Sequence, residues 1–233
     1  MANAVKTTLC LIITAISGIT ALAWVPEDQG PLLFHQDPHT VVFGLQSLKP
    51  TDLPSPSEQE QYLADDFDVP KGEIWDVRGL TFYTTGYLDG DSEKFRGEEV
   101  LITLFRDQDG QPGDIIHQQR SLVPEFQITM RSFGFPVEAL YFAMDRQVHL
   151  REGKYWVSQI LSAHLKNEDD PSIEYFTSWF VALFNYNESA KVMVPYATDP
   201  ACHEWNSIAK STPCTMIPWD SSLAFTVHGI RGN

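Results

Sequence analysis

Basic residues are scarce in this chain. Lys and Arg number 16 against 31 Asp and Glu, giving a formal net charge of -15. A surface so acidic is repelled by phosphates, which argues against nucleic acid and anionic lipid as partners. Long apolar runs are missing after residue 22, so no membrane span is expected in the mature chain. No stretch carries an apolar helical stripe over three turns, which argues against an α-helical core. The GxSxG elbow, the phosphate loop, the dinucleotide fingerprint and HExxH are all absent. Cysteine is rare, at three residues, of which Cys10 falls in the leader.

That leader is the first thing present. Met1 to Lys6 is a short basic region, Leu9 to Leu22 is apolar, and Ala21-Leu22-Ala23 fits signal-peptidase cleavage. Residues 1–23 therefore read as a signal peptide, with Trp24 opening the mature chain. Export places the protein outside the cell. There the remaining pair, Cys202 and Cys214, is expected to form one disulfide. Asn187-Glu188-Ser189 is a glycosylation sequon if the host is eukaryotic.

The rest divides in two. Residues 24–61 are an arm with two short apolar runs, Leu32 to Phe34 and Val41 to Leu45, and a loop rich in Pro, Ser and acid. Either the arm is an edge strand of the main domain or it reaches a neighbour. Residues 62–233 carry short apolar alternations separated by turns. Trp75 and Val77 share one parity while Leu80 and Phe82 share the other. A bulge at Arg78-Gly79 would return all four to one face. Asp107 to Gly113 is dense in turn residues, and Arg151-Glu152-Gly153-Lys154 reads as another hairpin turn. Val100, Ile102 and Leu104 alternate, as do Leu140, Phe142 and Met144, and Leu223, Phe225 and Val227. Tyr175 to Phe184, rich in aromatics, reads as strand. The pattern predicts an all-β, two-sheet antiparallel sandwich.

Four motifs in order carry a resemblance. Ala64-Asp65-Asp66-Phe67 with Val69-Pro70 and Gly72 comes first. Phe105, Asp107, Gly110, Pro112 and Gly113 match D-x-x-G-x-P-G. Gly153, Tyr155, Trp156, Val157 and Ser158 match G-x-Y-W-x-S. Leu223-Ala224-Phe225 with Gly229 closes the series. Over residues 63–229 the chain resembles the secreted β-sandwich modules of bacterial surface proteins that often precede a PEP-CTERM sorting anchor. The chain ends Arg231-Gly232-Asn233, without an anchor of that kind. The resemblance implies a jelly-roll-like sandwich and no particular catalytic activity.

Several residues are placed to carry chemistry. Asp65 and Asp66 before a strand, and Asp107 and Asp109 in a turn, could supply oxygens to a structural calcium. Asx-turns explain the same aspartates without a metal. Asp89, Asp91 and Glu93 begin like a calcium loop, but Lys94 and Val100 stand where an EF-hand needs Gly and Glu. Glu138, Glu152, Glu174 and Glu204 are candidate acids for a glycoside hydrolase, which needs two carboxyls facing across a cleft. His35 and His39 are four apart with Pro38 between, which spoils a helical metal pair. Trp205 lies inside the predicted disulfide loop and Trp219 just beyond it. A pinned tryptophan can stack on a sugar ring. Trp75, Trp156 and Trp179 lie within strand patterns and read as core.

The expectation is a secreted, acidic, non-catalytic β-sandwich that binds an extracellular glycan or protein through Trp205 and Trp219. It needs no cofactor beyond a structural calcium. Two alternatives are a subunit of an extracellular assembly joined by addition of the N-terminal strand, and a secreted glycoside hydrolase.

Overall fold

Strands of alternating apolar and polar residues can bury one face, and two such faces packed together make a core. The computed structural model describes residues 30–36, 44–45, 48–50, 60–87, 99–122, 127–132, 135–163, 176–180, 182, 190–208, 214 and 222–232. Residues 1–23, expected to be a signal peptide, Asn187 and Trp219 lie outside them. Twelve strands form one continuous curled sheet. They are β1 (Leu32–His35), β2 (Gly44–Leu45), β3 (Leu48–Pro50), β4 (Tyr62–Tyr87), β5 (Glu99–Gln108), β6 (Gln111–Leu122), β7 (Gln127–Ser132), β8 (Phe135–Ala163), β9 (Phe176–Phe180), β10 (Lys191–Met193), β11 (Asn206–Ser207) and β12 (Phe225–Gly232). All described pairings are antiparallel except β3 with β8. The fold is all-β and sandwich-like, as the alternation predicts.

Two long strands, β4 and β8, make both layers. The first half of β4 pairs with the second half of β8, and β5 and β6 extend this layer on one side while β10 and β11 extend it on the other. The second half of β4 pairs with the first half of β8, and here β12 and then β1 extend the sheet, with β7 on the far side of β8. Register changes twice along the shared pair. From Val69 to Ile74 on β4 the partner moves only from Gly153 to Arg151. From Val77 to Gly79 the partner moves from Val148 to Ala143. The two surpluses cancel, so pairing leaves the crossing in the register in which it entered.

The parity switch in β4 is resolved as the sequence predicts. Arg78 is bulged out against both neighbours, and Trp75, Val77, Leu80 and Phe82 are all buried. At that bulge Gly229 lies so close to β4 that a Cβ would sit 2.1 Å from the Asp76 carbonyl oxygen. Gly79 leaves the space filled by the Tyr141 ring, 2.5 Å from where its Cβ would stand.

Aromatic rings close the corner where the layers meet. Phe67 stacks on Trp75 with ring centroids 6.1 Å apart and also meets Phe34, Tyr155 and Phe225. Trp179 meets Phe82 edge-on at 5.1 Å and donates its indole N–H to the Ala224 carbonyl. Trp75, Trp156 and Trp179 are all buried, Trp75 and Trp179 in the core as expected and Trp156 on the opposite, outward face of the first layer.

The Asp109-Gly110 turn joins β5 to β6 with φ of 55° and 76°, the two left-handed residues of a type I′ hairpin. Arg151 to Lys154 is not a hairpin turn. β8 runs through it unbroken, and the turn-like excursion lies opposite, at Pro70 to Glu73 on β4. Glu152 answers that excursion by accepting the Gly72 N–H at 2.7 Å. A turn-rich composition there serves an irregular strand pairing instead of a chain reversal.

The arm before residue 62 pairs within its own chain. β1 lies on β12, β2 on β9 and β3 on β8. Phe34 packs its ring against Phe67 and Phe225. Gln36 is fully buried, its amide donating to the Leu223 carbonyl and to Asp65.

Candidate ligand-binding face

Outward positions of the first layer ought to face water, yet its middle is covered. After β10 the chain runs through a 3-10 turn, Pro200–His203, and returns as β11 beside β10. Cys202 and Cys214 are joined, as the sequence predicts. Hydrogen bonds fix the segment between the strands. Val194 N–H donates to the Cys202 carbonyl, and Asp199 caps the turn by accepting Ala201 N–H at 2.9 Å. The Asn206 amide donates to the carbonyls of Ala201 and Glu204, and His203 donates to that of Ala197.

Trp205 emerges from this framework half-buried. Its ring meets Phe105 of β5 edge-on at 6.0 Å. Strands β4 and β8 lie between β10 and β5, so the loop spans both. Beneath it Asp66 and Trp156, paired across β4 and β8, are fully buried on the outward face. Trp156 donates its indole N–H to Asp107 at 2.7 Å and carries the Lys191 ammonium 5.5 Å from its ring centre. Lys154 Nζ lies 3.1 Å from the Asp66 carboxylate. A polar fringe borders Phe105, where exposed Gln118 donates to Thr103 Oγ1 at 3.1 Å.

The aspartates expected to hold calcium are dispersed. Asp65 and Asp66 are neighbours on one strand and so point to opposite faces. Asp65 turns inward and accepts the backbone N–H of Leu223 and of Asp66. Burial pushes its carboxyl well above the ordinary range. Asp107 accepts from Trp156 and from Gly110 N–H. Asp109 is exposed in the hairpin turn. Among the described residues, no three His, Cys, Asp or Glu side chains come together as metal ligands.

The candidate acids are likewise separate. Glu138 and Glu152 lie on one strand, fourteen positions apart, roughly 46 Å along it at about 3.3 Å per residue, against the roughly 5–9.5 Å a glycosidase pair requires. Burial raises the Glu138 carboxyl to about 7. Glu204 is exposed in the disulfide loop, and Glu174 lies outside the described residues.

His35 sits on the outward side of the second layer, its Nδ1 2.6 Å from Thr226 Oγ1; His39 lies outside the described residues. Beside it His228 is buried, its Nε2 2.8 Å from Thr81 Oγ1 and the edge of Tyr141 against its ring. Its Nδ1 is buried without a hydrogen-bond partner. Burial, with the neighbouring His35 adding to it, lowers the His228 pKa to about 4.

Sequence reasoning found Trp205 but missed Phe105 as its partner. The signal was present, since Phe105 has the parity opposite to Val100, Ile102 and Leu104, and an aromatic at an outward position needs a cover. It missed His228, whose burial follows only from what packs around it.

No helix among the described residues is long and apolar enough to cross a membrane. The disulfide fits an oxidising compartment. A scan against protein-family models matched no family, and a search of the curated proteins found no match.

Proposed function

We propose that this protein is a secreted, non-catalytic β-sandwich that binds a glycan outside the cell. The observation that carries the reading is Trp205, a half-buried indole fixed by a disulfide-closed loop against Phe105. A tryptophan held in place loses little freedom when a sugar ring stacks on it. Exposed Gln118 and half-buried Asp107 beside it offer amide and carboxylate groups to sugar hydroxyls, and buried Thr103 fixes the Gln118 amide. Four ordered motifs shared with secreted surface modules, and the leader at residues 1–23, support the extracellular setting.

Glycan-array binding followed by calorimetry tests it. Trp205→Ala should weaken binding about five- to 150-fold, the loss of one stacking contact of roughly 1–3 kcal/mol, with the melting temperature little changed. Binding that survives Trp205→Ala would move the site elsewhere. A protein that binds nothing on a broad array would end the glycan reading. The assembly alternative now needs β1 to leave β12, the edge it already fills in its own chain.

A further inference from the structure

We infer that two copies of this chain associate through the outward face of the second layer. Three large apolar side chains stand open on three adjacent strands: Leu32 of β1 is 47% exposed, Ile230 of β12 is 38% and Ile74 of β4 is 36%. Register places them together. Leu32 faces His228, Ile230 faces Asp76, and Ile74 faces Gly232 across the ladder. Leu33 next to Leu32, Trp75 next to Ile74, and Val227 three positions before Ile230 belong to the core, so all three point outward. An antiparallel face turned to water is ordinarily polar. Among the described residues the other exposed large apolar side chains, Ile115, Leu122 and Tyr196, belong to β6 and to the segment between β10 and the 3-10 turn of the first layer.

Charge selects the occupant. The chain carries -15 overall, so two copies repel wherever acidic surfaces meet. This face departs from that balance. Its charged side chains are exposed Arg151, opposite Ile74, exposed Arg78 on the bulge, and half-buried Asp76, which is hydrogen-bonded to His149. A second copy related by a two-fold axis brings apolar groups onto apolar groups with little like-charge cost. Four strands at about 4.8 Å by about six residues at 3.3 Å give roughly 400 Å² per copy, about 800 Å² in all, the size of a weak, transient contact and below that of a stable interface. The association should therefore be in the micromolar range, not permanent.

Sedimentation velocity on the full mature chain, from about 1 to 500 μM at low and high salt, is the test. The expected result is a concentration-dependent rise toward twice the monomer mass, strengthened by salt because salt screens the net repulsion. Ile74→Lys with Ile230→Lys should return the monomer. Both positions are exposed, and circular dichroism and melting check that the variant folds. Trp205→Ala should leave the dimer intact, which separates this inference from the glycan reading. A monomer at every concentration and salt overturns it. So does a dimer that persists in the double Lys variant, and so does association weakened by salt, which would mark a contact with an acidic partner surface.

Discussion

Replacing His228 with glutamine isolates one buried titration from all others. In the fold this imidazole is held near pKa 4, against 6.5 in the unfolded chain. Above pH 6.5 both states are neutral and the group contributes no pH dependence. As pH falls toward 4 the unfolded chain takes up a proton that the folded chain refuses, so stability drops. The difference of 2.5 units corresponds to at most about 3 kcal/mol. Glu138 works in the opposite sense. Its carboxyl is raised from 4.5 to about 7, so its contribution is complete below 4.5 and is lost as pH rises through 7. Partial contact with water discounts this to about 2 kcal/mol. The two slopes therefore largely offset each other between pH 4.5 and 6.5. Urea midpoints at half-unit steps from pH 4 to 8 should show it. The stability advantage of wild type over His228→Gln should shrink by about 3 kcal/mol from pH 6.5 to 4. Glu138→Gln should gain about 2 kcal/mol on wild type from pH 4.5 to 7. Asp65, also raised, is common to all three proteins and cancels in the differences. Parallel curves for wild type and His228→Gln would refute a neutral, buried imidazole.

Other perturbations have definite outcomes. Cys202→Ser with Cys214→Ser opens a loop with a sequence separation of 12 and should cost about 3 kcal/mol in the chain-entropy model, read as a fall of roughly 10 °C in calorimetry. Trp205 fluorescence should shift to the red in the same variant as the loop lifts from Phe105. Gly229→Ala drives a methyl into the Asp76 carbonyl and should cost more than about 3 kcal/mol by urea unfolding, whereas Gly72→Ala meets nothing within 4 Å and should cost only about 1 kcal/mol, for its positive φ. Asp65→Ala leaves the Leu223 N–H unmet in the core and should cost about 2 kcal/mol by the same measurement.

Local pattern made much of this fold legible. The parity change between Val77 and Leu80 located a bulge, because an extra residue is the only way to keep both pairs inside. Asp107 to Gly113 marked a turn because its Asp, Gly and Pro residues suit chain reversal, and the structure sets the reversal at Asp109-Gly110, which takes up the two left-handed conformations. Arg151 to Lys154 misled for a physical reason. Turn-forming residues also suit a strand that must face an excursion in its partner, and the partner lies some eighty positions away at Gly72. The same distance hid the state of the acidic pair. That Asp65 enters the core while Asp66 meets Lys154 under a loop depends on Leu223 and on residues 194–208, which no local window contains. Trp205 was legible because a disulfide loop is visible in the sequence, and Phe105 was not, because its neighbour arrives from a hundred residues downstream.

The shared strands have a consequence for how the molecule comes apart. In many sandwiches the two sheets are joined by loops, and one sheet can in principle loosen alone. Here β4 and β8 are the centre of both layers, and no loop marks a boundary where they could separate. Any opening of one layer must unzip a ladder that continues into the other. Amide protons on the two sides of the crossing should then exchange as one cooperative unit. Forming that unit requires β4 to find β8 across the intervening β5 to β7, so the chain should fold slowly and all at once.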